Sequence, residues 1–130
     1  MVLPKSMRLK GHKCFDYLYR EGRRYHEPSI LLRVVKAKPR HYKVKRHQSE
    51  MLSCRCAIAI SSKVNKKAVI RNQLRRLIHE HLRTRLFGVS DHANKWILFT
   101  LKPPSSNKAP AQLLAECDNL LNKAGLTYEN

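Results

Sequence analysis

Residues 66–87 read KKAVIRNQLRRLIHEHLRTRLF, and their spacing predicts one long amphipathic helix. At 100° per residue, Ile70, Leu74, Leu77, Ile78 and His81 fall on one face. Asn72, Arg75, Arg76, His79 and Arg83 fall on the opposite half, with Arg71 at the boundary. Before this helix, SCRCAIAI at 53–60 predicts a strand; after it, WILFTLK at 96–102 predicts another.

The flanks add three elements. KCFDYLYR at 13–20 suits a short helix with Phe15 and Tyr19 one turn apart, ended by Gly22. SILLRVVK at 29–36 is rich in branched apolar residues and predicts a strand. A last helix spans about 110–123, where Leu113, Leu114, Cys117, Leu120 and Leu121 form an i, i+1, i+4, i+7, i+8 stripe. Pro110 fits its first turn and Gly125 its end. The order is helix, strand, strand, helix, strand, helix. This is an α+β class, a single-domain αββαβα sandwich with helices covering a small sheet. No repeat or interdomain linker interrupts residues 1–130, so a single domain is expected.

Charge narrows the partners. Residues 1–85 hold 23 Lys and Arg against 5 acids, a net of +18, whereas residues 86–130 hold 4 of each. A compact fold with such an excess repels itself unless a polyanion neutralises it, and nucleic acid fits better than an anionic membrane surface. No apolar run approaches the roughly 20 residues of a spanning helix. The opening MVLPKSMRLKGHK lacks an apolar stretch of signal-peptide length, so a cytoplasmic location is expected. The segment KAKPRHYKVKRHQSEM at 36–51 carries six Lys or Arg, two His and one acid. It reads either as a solvated, partly mobile loop or as an electrostatic arm on RNA phosphates.

The four cysteines do not suggest a metal or disulfide framework. Cys54 and Cys56 form a CxC within the strand at 53–60, on the face of Ile58 and Ile60, and are expected to be small buried side chains. His79-Glu80-His81 lacks the i, i+4 histidine spacing of a zincin helix. The nine carboxylates are scattered, and no nucleophile–histidine pairing stands out. Protein-based hydrolysis is therefore not expected, and neither a catalytic residue nor a metal ligand is assigned.

Ser62-Lys63-Val64-Asn65-Lys66-Lys67-Ala68-Val69-Ile70-Arg71-Asn72-Gln73-Leu74-Arg75-Arg76 closely resembles the signature of bacterial ribonuclease P protein components. That signature runs from a strand through a Lys-containing turn into a helix beginning near Ala-x-x-Arg-Asn-Arg-x-x-Arg. Lys63, Ala68, Arg71, Asn72, Arg75 and Arg76 match it, and Gln73 stands where the third motif position is usually Arg. Arg8-Leu9-Lys10 with Phe15, Tyr19 and Gly22 is similar to the family's opening, and Trp96 through Pro103 to its last strand. Most of residues 8–125 can be laid on the pattern, with 36–52 the poorest match.

The resemblance implies a protein subunit that binds a catalytic RNA and the 5′ leader of precursor tRNA, assisting endonucleolytic removal of the leader. It implies a left-handed βαβ crossover through the basic helix, as in the second domain of ribosomal protein S5, although general rules favour the right-handed form. Lys63, Lys66, Lys67, Arg71, Asn72, Arg75 and Arg76 would contact the RNA subunit, their guanidiniums gripping phosphates in bidentate fashion. The leader would lie in a trough floored by Arg55, Ala57 and Ala59, reached by Arg33 and walled by Phe15 and Tyr19. For the two aromatics, simple core packing is the competing reading. Mg2+ would be bound mainly by the RNA subunit and substrate, and the protein would be monomeric within the ribonucleoprotein. The rival function is a structural RNA-binding protein, ribosomal or chaperone, with no part in cleavage.

Overall fold

The computed structural model describes residues 12–36, 55–86 and 95–126. The elements are α1 (His12–Glu21), β1 (Arg23–His26), β2 (Ile30–Lys36), β3 (Arg55–Ala59), α2 (Ala68–Leu86), β4 (Lys95–Leu101) and α3 (Pro110–Lys123). A 3-10 turn, Pro103–Asn107, links β4 to α3. The basic segment 36–52 lies outside the described residues beyond Lys36, as does Cys54.

The four strands form one sheet in the order β1-β2-β4-β3. β1 pairs antiparallel with β2, β2 antiparallel with β4, and β3 parallel with β4. β4 is thus flanked on both sides. Its run Trp96, Ile97, Leu98 and Phe99 is fully buried, as a strand covered on both faces requires. β1 is a fourth strand beyond the three expected. Its sequence, RRYH, has no apolar run of its own, and pairing with β2 holds it at the edge.

Alternation divides the sheet into two faces. Ile30, Leu32, Cys56, Ile58, Ile97, Phe99 and Leu101 pack with Ile78 and Leu82 of α2 and with the buried stripe of α3. On the other face Trp96, Leu98 and Val35 pack against Cys14, Tyr17 and Leu18 of α1, an i, i+3, i+4 set. Tyr17 meets Trp96 edge-on, ring centres 6.2 Å apart at 85°. Full burial of each such side chain contributes about 1.5–3 kcal/mol.

The stripe of α3 matches expectation, except that Leu114 is only half-buried. Pro110 opens this helix, and Gly125, at φ 71°, closes it. Helix α2 is rotated from its expected setting. Its buried residues are Ile78, His79 and Leu82, while Ile70, Leu77 and His81 are half-buried. His79, assigned to the outward half, is therefore an inward residue.

Gly22 connects α1 to β1. Its N–H donates to the Leu18 carbonyl at 2.9 Å. A Cβ at Gly22 would press into that same carbonyl oxygen and lie 3.3 Å from the Arg33 Cβ. Gly22→Ala is expected to lower stability by about 1–3 kcal/mol, as overpacking against backbone does. Thermal unfolding of the two proteins checks this; an unchanged midpoint would mean that the turn relaxes freely.

Candidate nucleic-acid interface

α1 covers only part of its sheet face, and the residues expected to form the trough fall on the rest of it. Cross-strand partners share a face, so the register sets two rows across the floor. One runs Arg24, Arg33, Leu98, Ala57; the next runs His26, Leu31, Thr100, Ala59. Phe15 and the half-buried Ala57 and Ala59 pack against the α1-side core. Tyr19, one turn beyond Phe15, is 54% exposed. That exposure excludes simple core packing for Tyr19, whereas Phe15 is half-buried against the core.

Arg33 is fixed at the edge of this trough. Its guanidinium carbon lies 4.6 Å from the centre of the Tyr19 ring, within cation–π range. Its Nη1 donates to Thr100 Oγ1 at 3.4 Å. Phe15, Tyr19, Arg33, Ala57 and Ala59 thus come together as expected. Arg55 does not. It occupies the expected face but is only 3% exposed, in the region covered by α1, and its charge acts on the Cys14 thiol. Thr100, Leu31 and Arg24 lie on the same sheet face as Ala57 and Ala59. Thr100 was legible as the polar residue within the apolar run 96–101 of β4.

The second surface follows directly from β3. Val64 N–H donates to the Ser61 carbonyl, and Lys67 N–H to Asn65 Oδ1 at 2.9 Å, an Asx turn that starts α2. Arg71 Nη1 donates to the carbonyls of Asn65, at 2.8 Å, and Lys66, at 3.0 Å. Arg71 therefore staples the turn to the helix. Arg75 Nη1 donates to Asn72 Oδ1 at 3.0 Å. Lys63, Lys66, Lys67, Asn72 and Arg76 are exposed; Arg71 and Arg75 are half-buried. All seven residues expected on this surface form one basic turn-and-helix flank. Gln73 sits beside Arg76 at a shallow groove of about 600 Å³ between α2 and α3, with Leu77 and Leu114.

Asp118 locks α2 against α3. Its Oδ1 lies 2.8 Å from His81 Nε2 and accepts from Arg85 Nε at 3.1 Å. Burial pushes the Asp118 carboxyl up, but hydrogen bonds from Arg85 and His81 outweigh it and hold the group below the usual range. A depressed folded value stabilises the fold above the unfolded value, and the gain is lost as pH falls through the folded one. Asp118→Asn is expected to cost about 0.5–1 kcal/mol at neutral pH, given partial solvent screening. The difference from wild type should shrink as pH drops below the ordinary aspartate range. Denaturant unfolding across pH tests this; a constant difference would exclude the ionic contribution.

Three further described carboxylates are engaged. The Glu27 carboxylate accepts from Lys123 Nζ, and Glu80 Oε2 accepts from Arg83 Nη2 at 2.8 Å. The buried Glu116 accepts from the Ser29 N–H at 2.9 Å. Cys14, Cys56 and Cys117 are buried and not disulfide-bonded; burial, with Asp118 and Glu116 nearby, pushes the Cys117 thiol up to about 12. Among the described residues no group of three or more His, Cys, Asp or Glu gathers to hold a metal ion, and no helix is long and apolar enough to cross a membrane.

Comparison with known proteins agrees with this geometry. The family model described as Ribonuclease P matches residues 3–125. The ribonuclease P protein component of Prochlorococcus marinus (strain MIT 9313) is 52% identical over 126 residues, covering 97% of this chain and 98% of the relative. That of Parasynechococcus marenigrum is 51% identical over 126 residues, with the same coverage of both chains. Among solved structures, the Staphylococcus aureus RNase P protein superposes with a TM-score of 0.76 at 19% identity, covering 95% of this chain and 100% of that one. The Thermotoga maritima protein gives 0.69 at 19% identity, covering 95% and 98%. These two likenesses establish the shared fold, an α+β domain with a mixed four-stranded sheet. Sequence and fold together place the chain in the bacterial ribonuclease P protein component family, the protein subunits of an endoribonuclease that assist in maturing the 5′ end of precursor tRNA.

Proposed function

We propose that the two surfaces divide the work: the basic flank of α2 binds the RNA subunit, and the α1-side trough binds the 5′ leader of precursor tRNA. The observation that carries this reading is the pairing of a positive charge with an exposed ring, Arg33 against Tyr19, above a floor of small residues. Aromatic faces with positive potential hold single-stranded RNA without demanding a long sequence match. A purely structural RNA-binding protein has no use for such a trough. The basic flank supports the other assignment, because Lys63, Lys66, Lys67, Asn72 and Arg76 are exposed.

The protein supplies binding and orientation, and hydrolysis belongs to the RNA. Mg2+ would reside on RNA and substrate phosphates, since Glu27, Glu80, Glu116 and Asp118 are committed to cationic or backbone donors. That donor set does not suit a protein-held magnesium ion. The protein acts as a monomer in a cytoplasmic ribonucleoprotein. Reconstitution with a bacterial ribonuclease P RNA tests the reading. The holoenzyme is expected to bind precursor tRNA roughly tenfold more tightly than mature tRNA, the gain from stacking one or two leader bases. Equal affinities would contradict it.

A further inference from the structure

The groove between α2 and α3 differs in chemistry from the basic flank it adjoins. Leu77 from α2 and Leu114 from α3, both half-buried, give it apolar ground. Three of its polar residues are committed within the fold. Glu80 accepts from Arg83, His81 is bonded to Asp118, and the Thr84 hydroxyl donates to the His81 carbonyl at 2.7 Å. Gln73 and Arg76 are exposed and make no hydrogen bond or ion pair among the described residues. One turn before Gln73 on the same side of α2, Val69 is 64% exposed. An apolar floor with two uncommitted polar groups at its edge has the make-up of a ligand cleft, and about 600 Å³ is an ordinary size for one.

The surroundings select the occupant. Arg76 belongs to the groove and to the basic flank at once, so a polyanion held on the flank passes the mouth of the groove. A phosphate would gain nothing from two leucines. An amphipathic protein helix needs a row of apolar anchors along its length, and the floor supplies one leucine from each helix. A nucleobase turned out of an RNA loop or bulge has both a flat apolar face and a hydrogen-bonding edge, and such bases are what proteins recognise in folded RNA. Gln73 suits that edge. Its amide sets a donor beside an acceptor, as every base does on its pairing edge, whereas the arginine usual at this motif position offers donors alone.

We propose that this groove holds one unpaired nucleobase of the RNA subunit, flat against Leu77 and Leu114, with Gln73 bonded to its pairing edge and Arg76 on the adjoining phosphate. The proposal rests on the α2 flank being the surface that binds the RNA subunit.

The test uses holoenzyme reconstituted with a bacterial ribonuclease P RNA, whose pairing edges are probed chemically with wild type, Gln73→Ala and Leu114→Ala proteins. One unpaired nucleotide is expected to be protected by wild type and open in both variants, with protection elsewhere unchanged. Removing the base at that nucleotide should lower wild-type affinity by roughly tenfold, the loss of one held base, and should lower Gln73→Ala affinity by much less. Gln73 is exposed, so this comparison decides the matter even if Leu114→Ala loosens α3. A protection pattern identical in wild type and Gln73→Ala overturns the proposal, as does an abasic change that weakens both proteins equally. Lys66→Ala with Lys67→Ala, outside the groove, reports on the flank alone. If that pair binds the RNA as tightly as wild type, the flank assignment falls and takes the groove with it; if it binds weakly while the base shows no coupling to Gln73, the groove proposal fails alone.

Discussion

Replacing Lys66, Lys67 and Arg76 together by alanine weakens binding of the RNA subunit by about a hundredfold at roughly 50 mM salt. The three side chains are exposed, and no hydrogen bond within the described fold uses their charged ends. Their loss therefore leaves the structure intact. Each exposed phosphate contact is worth about 1 kcal/mol net, and three give the stated factor. The salt dependence should flatten as well, the log–log slope falling in magnitude by roughly 2–3, because each neutralised phosphate releases counter-ions. Filter binding across a salt series measures both quantities. A weakened protein with an unchanged slope would mean that these residues act through folding.

Arg71 is unsuitable for that experiment, although it lies at the centre of the family motif. Its guanidinium holds the carbonyls of Asn65 and Lys66, so Arg71→Ala would loosen the turn that presents Lys66 and Lys67. The resemblance to the family signature placed Arg71 among the RNA contacts. Its second task depends on the Asn65–Lys67 turn folding back within reach of the first helical turn.

Much of the fold was legible because apolar spacing is a local property. β2, β3, β4, α1 and α3 lie within a residue or two of their expected ranges where they are described. The phase of α2 was not legible. Ile70, Leu74, Leu77, Ile78 and His81 make a plausible stripe, yet the sheet takes Ile78 and Leu82 with His79 beside them. Rotation about a helix axis is decided by the surface it meets, and a helix with basic residues on several sides constrains it weakly. β1 was missed for a related reason. Arg23, Arg24, Tyr25 and His26 extend because β2 offers a free edge, not because they need burial.

The trough was legible in outline, and its boundary was not. Alternation put Arg55, Ala57 and Ala59 on one face, where they are. How far α1 extends over that face is a matter of tertiary packing, and it covers Arg55 while leaving Ala59 half-open. Thr100 enters because β4 lies between β2 and β3, a strand order no local pattern encodes.

The second large effect concerns Phe15 and Tyr19. Tyr19→Ala removes an exposed ring with little consequence for packing, whereas Phe15→Ala also trims the α1-side core. Base–aromatic stacking is worth about 1–3 kcal/mol per base. The double variant should lose roughly tenfold or more in precursor tRNA affinity, and Tyr19→Ala alone should show much of that loss without the stability cost. The most direct measurement is the ratio of precursor to mature tRNA affinity for holoenzymes carrying either Tyr19→Ala or the Lys66, Lys67, Arg76 triple change, each compared after saturating the RNA subunit with protein. Two surfaces with separate partners predict a ratio that collapses toward one for Tyr19→Ala and stays at the wild-type value for the triple variant. A ratio preserved in Tyr19→Ala, or lost in the triple variant once assembled, would contradict the division of RNA binding between trough and helix.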